Sequence, residues 1–381
     1  MCKYIGMLKL KFIKFFKEAH KKMGEKKIRL AIMGVGNCAS SLVEGLVFYK
    51  NAEIAEEVGG LMHYNLGGYE PKDIQVVVGF DVDSKKVGKD ISQAIFEAPN
   101  CAYRICEVPF MDAPVLKGPT LDGAPAHLQH YYGKDYFTVD ETQEPVDVAQ
   151  ALIDYKVDII LINLPTGSNK AARYYVECAK KAGCGVVNGI PELLASDKEF
   201  AASCKDAGIP ILGDDWKSQI GATIVHRALA KLFEDRGIRI TKSYQLNYAG
   251  NTDFINLVMN GETKHVTKHD AISSILKRKD TPVAPGFAFV DNQGDQKTAI
   301  IDIEGVKFGG APVKLHLQLD VEDSPDSAGI SIDAVRCCKL ALDRGLTGSI
   351  DAPSSYFFKH PPVQYPDDVC REKVEDFIAG K

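Results

Sequence analysis

The stretch GDDWKSQIGATIVHRALAKLF, residues 213–233, sets Asp214, Asp215 and Lys217 immediately ahead of an apolar helical pattern. A lysine beside the positive end of a helix dipole is misplaced on its own. It becomes sensible if the aspartates pair with it, or if the ammonium and the helix end converge on one anion. More lysines follow: Lys264 and Lys268 in TKHVTKHD, and Lys359 in SYFFKHPP. The first two are four apart, hence on one face if helical. Asn251 and Asp253 fall between, in NTDF. Each group alone reads equally as a structural ion pair or a solvated basic helix end. Several lysines around one pocket instead suit a phosphorylated substrate and a reaction passing through oxyanions, because compact positive charge is worth more where water is excluded.

A redox cofactor is indicated upstream. IRLAIMGVGNCASSLVEGLVFYK passes from a continuous apolar strand through glycines into a helical pattern, with Gly34, Gly36 and Ala39 forming Gly-x-Gly-x-x-Ala at the junction. The first glycine permits a tight turn, and the second lets the backbone approach a pyrophosphate held at the helix N-terminus. Asp81 ends the next strand, IQVVVGFDVD. A carboxylate there binds the adenosine ribose and repels a 2′-phosphate, so NAD is preferred over NADP. The separation exceeds the usual ~20 residues, which a polar, Gly-rich insertion over 51–73 explains. Pro165, Gly167 and Ser168 in LPTGSN end a later strand, and Asn188 and Pro191 end the one after. Carboxyl ends of parallel strands are where such sheets bind ligands.

These residues need a framework that brings strand ends together. VDIILINLP, CGVVNGIP and IPILGDD read as strands, separated by the helical patterns NKAARYYVECAKKAG and SDKEFAASCKDAG. That alternation predicts a parallel sheet with helices on both faces. Residues 98–146, rich in Pro, Gly, Tyr and His, read mostly as loop able to cover a site. After a helix expected over 218–236, with Ser218 as its cap and Ile220, Ile224, Ala228, Leu229, Leu232 and Phe233 as its apolar stripe, the texture changes. IRITKSYQLNYAG and AIIDIEGVKFGGAPVKLHLQLDVED read as long strands, the latter an antiparallel pair about a Gly-Gly turn. From Ser324 a helix opens with Ser-Pro and stops at Gly345. The expectation is a doubly wound α/β domain carrying an inserted antiparallel unit, with the last helices returning to the first domain.

Composition narrows the function. The 381 residues exceed the usual ~100–200 of one core, and 45% hydrophobic with 25% charged residues is ordinary for a globular protein. A net charge of -5 provides no basic field of the sort nucleic-acid binders need. The ten cysteines are scattered with no Cys-x-x-Cys pair, which reads as reduced thiols in a cytosolic protein. No apolar run approaches ~18 residues, so membrane insertion is not expected. The first 27 residues hold nine lysines and two glutamates, which interrupt any signal-peptide apolar region. They read as an N-terminal extension in preference to a peripheral amphipathic helix.

Taken in order, GVGNCASSLVEG, GFDVDSKKVGKDI, GDDWKSQIGATIVHRALAKLFEDRGI, QLNYAGNTDFINL, EDSPDSAGISIDAVRCCKLALDRG and YFFKHPPVQYPDD resemble the inositol-3-phosphate synthases, particularly their mycobacterial and thermophile branch. The resemblance runs from about residue 28 to the C-terminus. It implies a Rossmann-type domain over 28–216, an inserted α+β catalytic and dimerisation domain over 217–318, and a return over 319–381. It also implies a cytoplasmic homotetramer that converts D-glucose 6-phosphate to 1D-myo-inositol 3-phosphate with retained NAD. Carried over by position, Lys217, Lys268 and Lys359 match active-site lysines, and Lys264 matches a basic position near the substrate phosphate. Asp253, and Asp323 in EDSP, match acids near nicotinamide, substrate and metal; the family's members use either a divalent or a monovalent cation, and a divalent ion at Asp253 is the expectation for this branch. Asn37 and Cys38 of the glycine turn, together with Asp214, complete the implied cofactor set. KSQIGAT departs from the Lys-Ser-Gly-Gln-Thr-Lys of eukaryotic members, leaving their second lysine unmatched.

Overall fold

A computed structural model of the chain describes residues 26–131 and 133–381, so the expected N-terminal extension, apart from Lys26 and Lys27, lies outside the described residues. Strands β1 (Ile28–Met33), β2 (Ile74–Asp81), β3 (Val115–Lys117), β4 (Ile159–Ile162), β5 (Gly185–Asn188) and β6 (Pro210–Leu212) are short apolar runs. Nearly every residue of β1, β4, β5 and β6 is buried, as parallel strands are when helices cover both faces. Helix α1 (Asn37–Phe48) follows β1 and packs Leu42, Val43 and Leu46 under one face. Helix α2 (Asn169–Ala182) follows β4 and packs Ala172, Val176 and Ala179 on the other.

The second unit comprises α3 (Ala222–Asp235), β7 (Arg239–Ala249), α4 (Thr252–Asn260), α5 (Glu262–Ser273), β8 (Val283–Phe289), β9 (Gln296–Val306) and β10 (Pro312–Glu322). Its four-stranded sheet has the order β8-β7-β9-β10. The expected hairpin is β9–β10, with Val306 opposite Pro312 across the turn. The unit is not wholly antiparallel, because β8 pairs with β7 in parallel. The reason is the connection: α4 and α5 form a helical crossover that returns the chain to the start of β7 in the same direction. One sheet face packs Ile240, Ile301 and Ile303 against Phe233 of α3 and Ile272 of α5. The opposite face is open, with Tyr244 41% and Leu246 36% exposed.

Helix α3 starts at Ala222, not at 218, and its N-cap is Gly221 without a side-chain capping bond. Its buried side is also rotated from the expected stripe. Ala222, Thr223, His226, Arg227, Ala230 and Phe233 face inward, whereas Ile220 and Leu232 are 58% and 53% exposed. Arg227 is tolerated inside because its donors are met: Nε bonds Asp367 Oδ2 at 2.7 Å, and its guanidinium nitrogens reach the carbonyls of Ala271 and Tyr365.

The chain returns through α6 (Asp323–Asp343), β11 (Gly348–Ser349), α7 (Asp351–Phe357) and α8 (Asp367–Ile378). Helix α6 is buried along almost its whole length, and lies beside α1 with Ile332 and Val335 in the same core. Its Arg336 donates to the carbonyls of His63 and Tyr64 at 2.8 and 2.7 Å, tying down the 51–73 insertion. With β11 at one edge, the main sheet has seven strands in the order β11-β6-β5-β4-β1-β2-β3. Every pairing in it is parallel. Strand succession reverses at β1, which leaves a crevice beyond the carboxyl ends of β1 and β4.

Candidate active site

A cavity of about 230 Å³ occupies that crevice, lined by the turns after β1, β2, β4 and β5. Gly34 has φ +93°, and a Cβ there would stand 2.6 Å from the carbonyl oxygen of Asn163. Only glycine fits. Gly36, the N-cap of α1, has no such neighbour: a Cβ would meet nothing within 4 Å, so the turn keeps open space where a ligand approaches backbone. No side chain caps α1, so its first amides are free for an anion. Asn37 and Cys38 line the cavity, while Ala39 is buried beneath the helix. Burial, with Asp323 and Asp295 nearby, pushes the Cys38 thiol up to about 12, so it is a neutral lining group. Asp81 fastens the turn by accepting from Val35 N at 2.8 Å and Val82 N at 2.7 Å, and lines the cavity beside Lys86. Open space at Gly36, an uncapped helix end and Asp81 together fit a dinucleotide.

Other expected cofactor residues are placed differently. Pro165 and its neighbour Thr166 line the cavity, whereas Gly167 and Ser168 do not. The N-terminus of α2 is already closed by Asp122, which accepts from Lys170 N and Ala171 N at 2.7 and 2.9 Å. Asn188 donates to Glu192 O and to Asp214 Oδ1, at 2.7 and 2.8 Å. Asp214 in turn accepts from Leu194 N, Ala195 N and Ser196 N. This pair is fully buried and organises the 190–196 loop beneath the cavity floor. The 98–146 loop supplies a wall through Pro99, Asn100, Thr120, Leu128 and Phe137.

A second cavity of about 100 Å³ shares Cys38, Gly189, Trp216, Asp253, Lys264 and Asp323 with the first. It continues to Lys268, Lys297 and Lys359, and to Ser218, Gly221, Ala222 and Thr223 at the uncapped start of α3. Lys264 and Lys268 project from α5, Lys297 from β9 and Lys359 from the segment after α7. Lys264 and Lys359 both approach Asp215 Oδ1, at 3.2 and 3.0 Å, and Thr267 donates to Asp215 Oδ2 at 2.6 Å. Asp215 has φ +63°, a left-handed conformation costly for a residue with a Cβ and common at functional sites.

The charges are set by burial and these pairs. Burial opposes ionisation of Asp215, but Lys264 and Lys359 outweigh it and bring the carboxyl to about 2. Burial likewise opposes the charge on Lys264, but Asp215, then Asp253 and Asp323, raise its value. Lys359 is driven down to about 8 by burial, which Asp215 only partly offsets and Lys264 reinforces. Lys297 pairs with Asp323, which overcomes burial and raises the lysine while the acid is lowered. Lys268 falls well below the ordinary lysine value through burial and repulsion from Lys359, Lys297 and Lys264. Asp253 accepts from Thr166 Oγ1 at 3.1 Å and lies 3.9 Å from Lys264, in the wall between the cavities.

Lys217 lies elsewhere. Its ammonium donates to Asp367 Oδ1 at 3.0 Å and Ser355 O at 2.9 Å, on the side of α8, and does not line either cavity. The backbone explains this. Residues 216–217 run beside 357–358 in an antiparallel bridge, and neighbouring side chains of an extended segment point oppositely. Trp216 takes the cavity side, so Lys217 turns away from the start of α3, where Asp326 Oδ1 accepts from Ile220 N at 2.9 Å just ahead of the helix. Two residues that build the lysine site lay outside the expected set. Asp215, read as orienting Lys217 or the cofactor, instead sits behind the cavity as the counter-ion of Lys264 and Lys359. Lys297 carried a readable signal: it falls in phase with Ala299, Ile301 and Ile303 on the buried face of β9. A divalent ion at Asp253 finds no ligand set, since among the described residues no three His, Cys, Asp or Glu groups converge. The other carboxylates of the cavity face ammonium groups.

A hydride acceptor in the larger cavity would share a wall with a pocket built to hold anionic oxygens. Known proteins are similar to this chain over most of its length. The myo-inositol-1-phosphate synthase family model matches residues 221–324. Inositol-3-phosphate synthase of Corynebacterium glutamicum is 49% identical over 367 residues, covering 93% of this chain and 99% of its own. That of Mycobacterium tuberculosis is 47% identical over 362 residues, covering 93% and 96%. Among solved structures, Ari2 is 31% identical with a TM-score of 0.74, covering 93% of this chain and 99% of its own. A myo-inositol-1-phosphate synthase-related protein from Thermotoga maritima shares the fold at 22% identity and a TM-score of 0.75, covering 93% and 98%.

Proposed function

The chain belongs to the inositol-3-phosphate synthase family, and from that premise we propose that it isomerises D-glucose 6-phosphate to 1D-myo-inositol 3-phosphate with an NAD that stays bound. The observation that carries this reading is the wall common to both cavities, where Asp253, Lys264 and Asp323 face dinucleotide and sugar sites at once. Bound NAD would supply the acceptor for a hydride from C5 of the sugar and later return that hydride to the same carbon. The chain's own groups do the rest. The free amides at the start of α3, with Ser218 and Lys268, receive the phosphate. Lys264, kept charged by Asp215 and Asp253, stabilises the C5 oxygen as the ketone forms, which acidifies C6. The C6 proton passes to an oxygen of the substrate's own phosphate, giving an enolate whose carbon attacks the C1 aldehyde, forming the ring bond and leaving negative charge on the former aldehyde oxygen. Lys297, paired with Asp323, and Lys359, which titrates near neutrality, are the ammonium groups available to that oxygen. Lys359 has the value suited to giving up a proton there. Lys217 is a positioning residue in this scheme, holding the segment that carries Asp215 and Trp216. No step is routed through a metal.

The same reading makes the protein a homotetramer joined through the open face of the four-stranded sheet, where apolar Leu246 and Tyr244 lie uncovered. Its place of work is the cytoplasm, supported by nine free cysteines among the described residues. Purified protein supplied with glucose 6-phosphate and NAD is expected to form inositol phosphate without accumulating NADH. Release of one NADH per sugar consumed would instead identify a sugar-phosphate dehydrogenase.

A further inference from the structure

Four lysines line the smaller cavity, and three of them have acids. Lys264 and Lys359 share Asp215, and Lys297 is paired with Asp323. Lys268 has none. It is 6% exposed, and its nitrogen sits 4.8 Å from the centroid of the Phe287 ring. Among the described residues no carboxylate lies within ion-pairing distance of it. The groups whose charge reaches it are the like charges of Lys359, Lys297 and Lys264, and Asp215, which is already engaged by two lysines and Thr267. From α3 it faces His226, which burial brings to about 4 and so holds neutral. A buried ammonium without a counter-ion gives up its proton sooner than bear the desolvation.

We propose that Lys268 is an uncharged amine in the resting holoenzyme and takes up one proton as a phosphate monoester enters, so that substrate capture is coupled to proton uptake. This rests on the reading of the smaller cavity as a sugar-phosphate pocket. The balance is simple: the amine lone pair bonds a proton from solvent, and the dianion supplies the missing counter-charge beside the amides of α3. The resting site thereby avoids four close ammonium groups, and its full positive field exists only when substrate is present. Affinity should fall by up to tenfold per pH unit above the resting value of Lys268.

The test is calorimetric. The NAD-loaded full chain is titrated with 1D-myo-inositol 3-phosphate at pH 7, where Lys359, lowered only to about 8, already carries its proton and the monoester, with its second pKa of about 6, is mostly dianionic. Repeating the titration in two buffers of unlike ionisation enthalpy gives the protons exchanged. Wild type is expected to take up close to one proton. Lys268→Arg, whose guanidinium is permanently charged, is expected to bind with no uptake, and Lys268→Met to bind more weakly, also without uptake; thermal melts check that both are folded. Binding by wild type without proton uptake, or undiminished uptake by the arginine variant, overturns the inference. Failure of the product to bind wild type at all counts against the proposed function itself.

Discussion

Asp215 and Lys217 stand two residues apart and serve different parts of the molecule. Asp215 is a buried counter-ion shared by two lysines of the smaller cavity, whereas Lys217 joins the domains through Asp367 and Arg227. Removing one member of a buried ion pair costs about 3–5 kcal/mol, so Lys217→Met is expected to lower thermal stability by that order. NAD affinity in the folded fraction should survive, and its loss at unchanged stability would return Lys217 to the site. Lys359 is the group that gives the reaction its pH dependence. Burial lowers it to about 8, so the ammonium needed for oxyanion stabilisation is present below that pH and lost as pH rises through it. Turnover should decline on the alkaline side with a limb near 8, and Lys359→Arg should remove the limb; a flat wild-type profile up to pH 10 would contradict this role. Lys264, Lys268 and Lys359 were legible from residue type and spacing, and all three line the smaller cavity, whereas Lys297 was not among the expected lysines. What spacing alone did not convey is direction. Whether Trp216 or Lys217 faces the cavity depends on a bridge to Phe358, distant in sequence.

At the scale of elements, the strand, turn and helix around Gly34 and Gly36 were read directly, since the backbone at position 34 admits only glycine and glycine at position 36 keeps space open beside the helix start. The two glycines separate experimentally. Gly34→Ala places a Cβ against Asn163 O and is expected to destabilise the fold. Gly36→Val meets open space in the protein, so its melting temperature should change little while NAD affinity collapses. Equal affinity of wild type and Gly36→Val for NAD, by fluorescence titration of stripped protein, would place the pyrophosphate elsewhere. Helix α3 was less legible. Its apolar periodicity pointed to a stripe through Ile220 and Leu232, but burial of Arg227 and His226 won, because Asp367 and the carbonyls of Ala271 and Tyr365 satisfy the guanidinium. Those partners come from three other segments, and no local pattern announces them. The same holds for Asn188, whose position at a strand end suggested ligand binding, and for Asp214 of the expected cofactor set: their hydrogen bonds hold a loop.

Over the whole molecule, the α/β alternation and the late pair of long strands conveyed the architecture, and the parallel entry of β8 was the part that depended on the crossover through α4 and α5. The open sheet face is the feature that a single chain leaves unfinished. Leu246→Asp is expected to reduce the assembly observed by analytical ultracentrifugation without altering the dinucleotide cavity, and an unchanged sedimentation coefficient would remove that face from the interface. The central claim is that oxidation and reduction occur on one sugar within one closed site, and isotopic labelling addresses it most directly. Glucose 6-phosphate carrying deuterium at C5 is incubated with the NAD-loaded protein and an excess of unlabelled free NADH. Hydride returned to its original carbon predicts inositol phosphate that keeps the deuterium in full; inositol phosphate without the label, or deuterium recovered in the free cofactor pool, would contradict it.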